Sequence, residues 1–217
     1  MSFSLKSGIV LLLLKKLFGI PHSRFDREVS FIITGIGNKG QKYLNTRHNI
    51  GFLVVDALLK KCEETVRERR CRSEIVTCRI PLGEKVAIVK PQTFVNRSGK
   101  AIKEIIKLYN QPLSSWLIVV DDFNLPLGRF RFRRDGTDGG HKGLRSIISE
   151  IGTAFPRLRV GTGPLPEDTS VIDFVLSNFN KHEIDKKNEI VDKAADAVLF
   201  FCKNGIEAAM NTFNKSS

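Results

Sequence analysis

Four residues of this chain have the types and positions that acid–base chemistry needs: His48, Asp121, Asn38 and Asn96. His48 is one of only four histidines and lies in the polar segment Thr46-Arg47-His48-Asn49. Asp121 closes the most apolar run in the chain, Trp116-Leu117-Ile118-Val119-Val120. Asn38 and Asn96 each follow the end of a further apolar run. A carboxylate that accepts the Nδ1–H of a histidine fixes the tautomer and leaves Nε2 to take a proton. No G-x-S-x-G segment or activated cysteine offers a nucleophile, so such a base would act on water. The competing reading is a structural histidine. What raises His48 above it is that neighbouring parallel strands gather their carboxyl ends on one edge of a sheet.

The elements that must position these residues can be read in order. Phe31-Ile32-Ile33 fits a buried strand, and Gly35, Gly37 and Gly40 punctuate the turn after it. Ile50, Leu53, Val54, Ala57 and Leu58 recur at helical spacing. The charged residues 63–72 read as a solvated helix end and loop. Residues 75–80 and 85–89 form a hairpin about the turn 81–84. Ser98 caps a helix with Ile102, Ile105, Ile106 and Tyr109 on one face, and Pro112 stops it. Residues 116–120 are a strand, 129–133 alternate Arg and Phe as a strand does, and a glycine-rich loop over 135–143 precedes a helix at 144–151. Residues 157–161 form another strand, 171–179 a short helical or irregular segment, and 181–203 a long amphipathic helix broken at Gly205. Strands alternating with helices, with at least one hairpin, make the chain α/β with a mixed sheet.

Residues 35–40 match G-x-G-x-x-G after a strand, the dinucleotide fingerprint. That fingerprint needs a helix opening inside the motif, and residues 41–45 have no helical apolar pattern. The acidic residue that should end a second strand is absent, since Asp56 falls within a helix. A tight turn leading into a site loop is the better reading.

The chain has 217 residues, enough for one domain, and a net charge of +12. That surplus points to a polyanionic partner, nucleic acid before membrane. Arg129, Arg131, Arg133, Arg134, Lys142, Arg145, Arg157 and Arg159 cluster around the glycine loop, a density that suits phosphate contacts. None of the four cysteines has C-x-x-C spacing, so neither zinc nor a disulfide framework is expected and a reducing compartment is. Residues 1–29 hold a short apolar run with scattered basic residues, too short to span a bilayer and without a small-residue cleavage site. An organellar presequence, an amphipathic extension and a start codon placed too early all fit them.

Five segments together resemble the bacterial-type peptidyl-tRNA hydrolases. Residues 35–52, GIGNKGQKYLNTRHNIGF, are similar to that family's GxGNPGxxYxxTRHNxGF. Residues 90–99, KPQTFVNRSG, resemble KPxTxMNxSG; 121–128, DDFNLPLG, resemble DDLDLPxG; 139–144, GGHKGL, resemble GGHNGL; 157–163, RLRVGTG, resemble RLRIGIG. The resemblance runs in family order over residues 30–217. It implies a single α/β domain, a twisted and mostly parallel mixed sheet wrapped by helices. It implies hydrolysis of the ester joining a peptide to the 3′ ribose of tRNA, by a cytoplasmic monomer without cofactor, metal or membrane contact. An organellar location is the alternative if residues 1–29 are a presequence.

By the same resemblance His48 is the general base and Asp121 orients it, while Asn38 and Asn96 hold substrate and water. Tyr43, Asn49, Phe94, Asn96, His141 and Lys142 contact the peptide and the acceptor end of the tRNA, and Arg133 and Arg159 clamp a tRNA phosphate. Lys39 replaces the family's proline, Val95 its methionine, and Lys142 an active-site asparagine. An RNA-binding relative without hydrolysis, like the plant organellar intron-splicing factor of this fold, is the second reading. Lys142 and the extension speak for it; the four site residues speak for the enzyme.

Overall fold

The structure, a computed structural model, describes residues 28–214 except residue 82. The expected N-terminal extension, residues 1–29, therefore lies almost wholly outside the described residues. Seven strands form one sheet in the order β2-β3-β4-β1-β5-β7-β6. They are β1 (Phe31–Gly35), β2 (Glu63–Arg70), β3 (Ser73–Arg79), β4 (Lys85–Pro91), β5 (Trp116–Pro126), β6 (Phe130–Arg133) and β7 (Arg157–Gly163). The central strands β4, β1, β5 and β7 run parallel, whereas β2 and β3 on one side and β6 on the other are antiparallel to their neighbours.

Five helices cover the sheet: α1 (Ile50–Leu59), α2 (Ser98–Tyr109), α3 (Lys142–Ile151), α4 (Val171–Leu176) and α5 (Ile184–Phe213). The inner strands bury both faces, which is why they read as continuous apolar runs. Ile33, Val119, Leu158 and Phe132 pack with α1 and α5 on one face. Ile32, Ile118, Val120 and Trp116 pack with α2 and α3 on the other. Gly51 lets α1 sit close on the sheet: a Cβ there would meet the carbonyl oxygen of Val119 at 2.4 Å and that of Ile36 at 2.6 Å.

Three expectations are corrected. Residues 63–70 are a strand, not a helix end. β2 is the sheet's edge, both its faces are solvated, and so no apolar alternation marks it. Its charges instead blunt an open edge against further pairing. Ser98 is the first residue of α2 rather than its cap, and its enclosed hydroxyl has no hydrogen-bond partner. The helix stops at Asn110, in the left-handed conformation at φ 49°, before Pro112 is reached. The expected break at Gly205 is present at φ 76° and ψ 176°, but helix resumes beyond it to Phe213.

Candidate active site

The carboxyl ends of β1, β4 and β5 meet at one edge of the sheet, and the turn after β1 is tied there by three hydrogen bonds. The Asn38 backbone N–H donates to Asn49 Oδ1 at 2.8 Å, and Asn49 Nδ2 donates back to the Asn38 carbonyl at 3.0 Å. The Val95 N–H, just past β4, donates to Asn38 Oδ1 at 2.9 Å. With its oxygen so engaged, the Asn38 side chain turns its NH₂ group towards the cavity that it lines.

The loop bearing His48 is held from the opposite side of the chain. Arg47 donates to both carboxylate oxygens of Glu183 at 2.9 and 2.8 Å. Its guanidinium lies 4.6 Å from the Phe174 ring centre and 4.7 Å from that of Phe179. The Arg47 N–H also donates to the Ser177 carbonyl at 3.0 Å. Both bonds come from Nη2 alone, charge-assisted contacts between partly buried groups.

His48 Nδ1–H donates to Asp121 Oδ1 at 2.7 Å. His141 Nε2–H donates to the same oxygen at 2.9 Å. The His141 tautomer is fixed independently, because its Nδ1 accepts from the backbone N–H of Gly143 and of Leu144, each at 3.1 Å. One imidazole thus caps α3 and supports the carboxylate. Immediately beyond Asp121 the β5–β7 register shifts between Asp122 and Pro126, and this bulge turns Phe123 into the cavity.

Burial by itself would push the Asp121 carboxyl up, but the charge and hydrogen bonds of the two imidazoles hold it well below the usual range. Burial by itself would lower the pKa of His48. The charge and hydrogen bond of Asp121 outweigh that, Lys142 pulls the other way, and the net shift is upward from 6.5. His48, Asp121 and His141 offer ligand atoms within 4.8 Å of one another. A metal on His141 Nε2 would force its proton onto Nδ1, against two amide N–H donors. The trio suits a proton network rather than a cation.

The cavity above His48 has a volume of about 370 Å³. Asn38, Asn96, Arg97, His48, Asp121 and His141 supply its polar groups, Tyr43 and Phe94 line it too, and exposed Lys142 stands at its rim. Phe123, Val171, Ile172, Val175 and Leu176 form an apolar wall. So His48, Asp121, Asn38, Asn96, Tyr43, Phe94, His141 and Lys142 are brought together as the sequence predicts. Asn49 is the exception: it is buried, does not line the cavity, and spends both ends of its amide on the Asn38 backbone. It holds the turn, not the substrate.

Arg133 and Arg159 lie off the cavity, on one face of β6 and β7, where Arg131 is the register partner of Arg159. Arg133 is exposed. Arg159 Nε sits 2.9 Å from Asp122 Oδ2 as an ion pair without hydrogen-bond alignment. Sequence reasoning missed Arg47, whose partner is 136 residues away, and the apolar wall supplied by α4. The one signal for that wall was a run of apolar residues too short to show a period.

A histidine oriented by an ionised carboxylate in an apolar cavity, with no serine or cysteine among the residues that line it, is the arrangement of a hydrolytic enzyme that activates water. The sequence pattern of the peptidyl-tRNA hydrolase family matches residues 32–217. A peptidyl-tRNA hydrolase of Fervidobacterium nodosum is 42% identical over 84% of this chain and 95% of its own length. One from Caldanaerobacter subterraneus is 43% identical over 85% of this chain and 99% of its own. The crystal structure of the peptidyl-tRNA hydrolase of Acinetobacter baumannii superimposes with a TM-score of 0.79 at 31% identity, covering 86% of this chain and 96% of that one. This chain belongs to the peptidyl-tRNA hydrolase family.

Proposed function

We propose that the protein hydrolyses the ester between peptide and tRNA in peptidyl-tRNA, with His48 Nε2 taking a proton from the attacking water. The observation that carries this is the His48–Asp121 bond of 2.7 Å at the floor of the cavity. In the neutral imidazole Asp121 holds the proton on Nδ1, which leaves Nε2 free to accept one, and it stabilises the imidazolium as it forms. The NH₂ of Asn38 and the amide of Asn96 donate to the ester carbonyl, where negative charge develops. Tyr43 and Phe94 flank the adenosine end, and the apolar wall takes peptide side chains. The chain works as a cytoplasmic monomer in this reading. No helix among the described residues is long and apolar enough to cross a membrane. The binding-only reading is not favoured, because Lys142 is accommodated at the rim while the base, its carboxylate and both amides are in place. Release of labelled N-blocked amino acid from its tRNA tests the proposal; no turnover above the uncatalysed rate would end it.

Arg133 is assigned to tRNA phosphate, with Arg159 beside it. Arg133→Glu should weaken tRNA binding and reduce the slope of log affinity against log salt by about 1. Arg159→Glu should do less to the slope, since Asp122 already offsets part of its charge. Equal and unchanged slopes would remove this face from tRNA recognition.

Lys142 contributes to the position of the acid limb, less than burial and Asp121 do. Its ammonium disfavours the His48 imidazolium, so the limb lies lower than without it, although still above 6.5 through Asp121. Lys142→Asn should therefore move the acid limb of kcat/KM to higher pH, as this profile reports ionisations of free enzyme and substrate. Coincident limbs in the two proteins would mean that the Lys142 charge does not reach His48.

A further inference from the structure

Beside the catalytic cavity lies a second one, of about 280 Å³, whose lining includes Lys39, Arg72, Thr93, Phe94, Arg97 and Lys100. Phe94 and Arg97 line both, so the two adjoin. Four of these six residues are cations. Glu104 lies 2.6 Å from Arg72 Nε and offsets part of one charge. Lys39, Arg97 and Lys100 have no carboxylate at ion-pair distance among the described residues. Thr93 Oγ1 is enclosed and has no hydrogen-bond partner. Arg97 and Lys100 stand at the N-terminal end of α2, where the helix dipole adds to the attraction for an anion. Unpaired cations and an orphan hydroxyl around one recess are the donor set of an oxyanion site.

We infer that this cavity binds a backbone phosphate from the single-stranded 3′ end of the tRNA, with the adjoining base stacked on Phe94. The inference rests on the hydrolase reading above. Phe94 leaves 46% of its surface exposed between the two cavities. A cationic recess beside an exposed aromatic ring is how proteins hold single strands, the phosphate taken by charge and the base by its face. An acidic peptide group would use the charge but has no need of the ring. Sheet order places the cavity at the ends of β1 and β4, and Arg133 and Arg159 on β6 and β7, with β5 and Asp121 between. Cationic residues thus flank the candidate site on both sides.

The test is a Lys39→Ala/Lys100→Ala double variant, both residues being exposed. It is assayed on full peptidyl-tRNA and on a peptidyl ester of a short 3′-terminal oligonucleotide. KM should rise about tenfold on both substrates, and the salt slope should fall by about 1. Phe94→Ala should also raise KM on both, whereas Arg133→Glu should affect the full tRNA alone. Unchanged KM and slope for the double variant on the oligonucleotide ester would overturn the assignment. So would a loss confined to peptides with acidic residues, which would give the cavity to the peptide. Anisotropy binding of the unesterified oligonucleotide tests the cavity even if the parent proves inactive, and so separates this inference from the hydrolase reading. Equal affinity of parent and double variant there would refute it.

Discussion

Replacing His48 with alanine will slow peptidyl-tRNA hydrolysis by about 10²–10⁴-fold, the usual contribution of a positioned general base. The loss should fall on kcat, and tRNA affinity should stay near that of the parent, because the residues proposed to contact phosphate lie elsewhere. The fold should survive. Asp121 keeps its bond to His141, so the substitution does not strand an unpartnered buried carboxylate. A single-turnover assay with enzyme in excess isolates the chemical step from product release. Near-parent rates in that assay would take His48 out of the mechanism.

The second large effect is structural. Arg157→Leu should lower stability by about 3 kcal/mol, equivalent to a Tm drop of about 6–12 °C for a chain of this size. Arg157 is fully buried in β7. Its guanidinium donates to the carbonyls of Gly136 at 3.0 Å, Thr137 at 3.1 Å and Thr153 at 2.8 Å, and lies 4.2 Å from the Phe155 ring centre. Burial, with the repulsion of Arg159, lowers its pKa to about 10, so it remains charged at neutral pH. Leucine fills much of the space but leaves those carbonyls without their donor. Gly136 and Thr137 begin the loop that delivers His141 to Asp121, so activity should fall along with Tm. A thermal melt that coincides with the parent's would refute this account of Arg157.

The inner strands were legible because burial on both faces leaves an apolar run in the sequence. His48, Asp121, Asn38 and Asn96 were legible because each follows such a run, and parallel pairing brings those ends together. β2 was not, since an edge strand is held by backbone bonds to β3 and its described side chains are exposed, so no apolar alternation marks it. Asn49 was given to the substrate by the family resemblance alone; only the three-dimensional turn shows its amide closed on Asn38. His141 was placed in a loop, but its cap on α3 escaped notice, histidine not being among the residues expected to cap a helix. Arg157 read as one more member of a basic cluster, and nothing local distinguishes a cation sealed behind three carbonyls from one in solvent.

The clamp between Arg47 and Glu183 bears on how the enzyme is made. Translation delivers the loop first and its anchor later, since Glu183 follows Arg47 by 136 residues. Until then the His48 loop lacks the carboxylate that pins it. A protein still attached to its last tRNA is chemically what the finished enzyme cleaves. The 136 residues between the two partners mean that the nascent chain cannot pin this loop until Glu183 has been made.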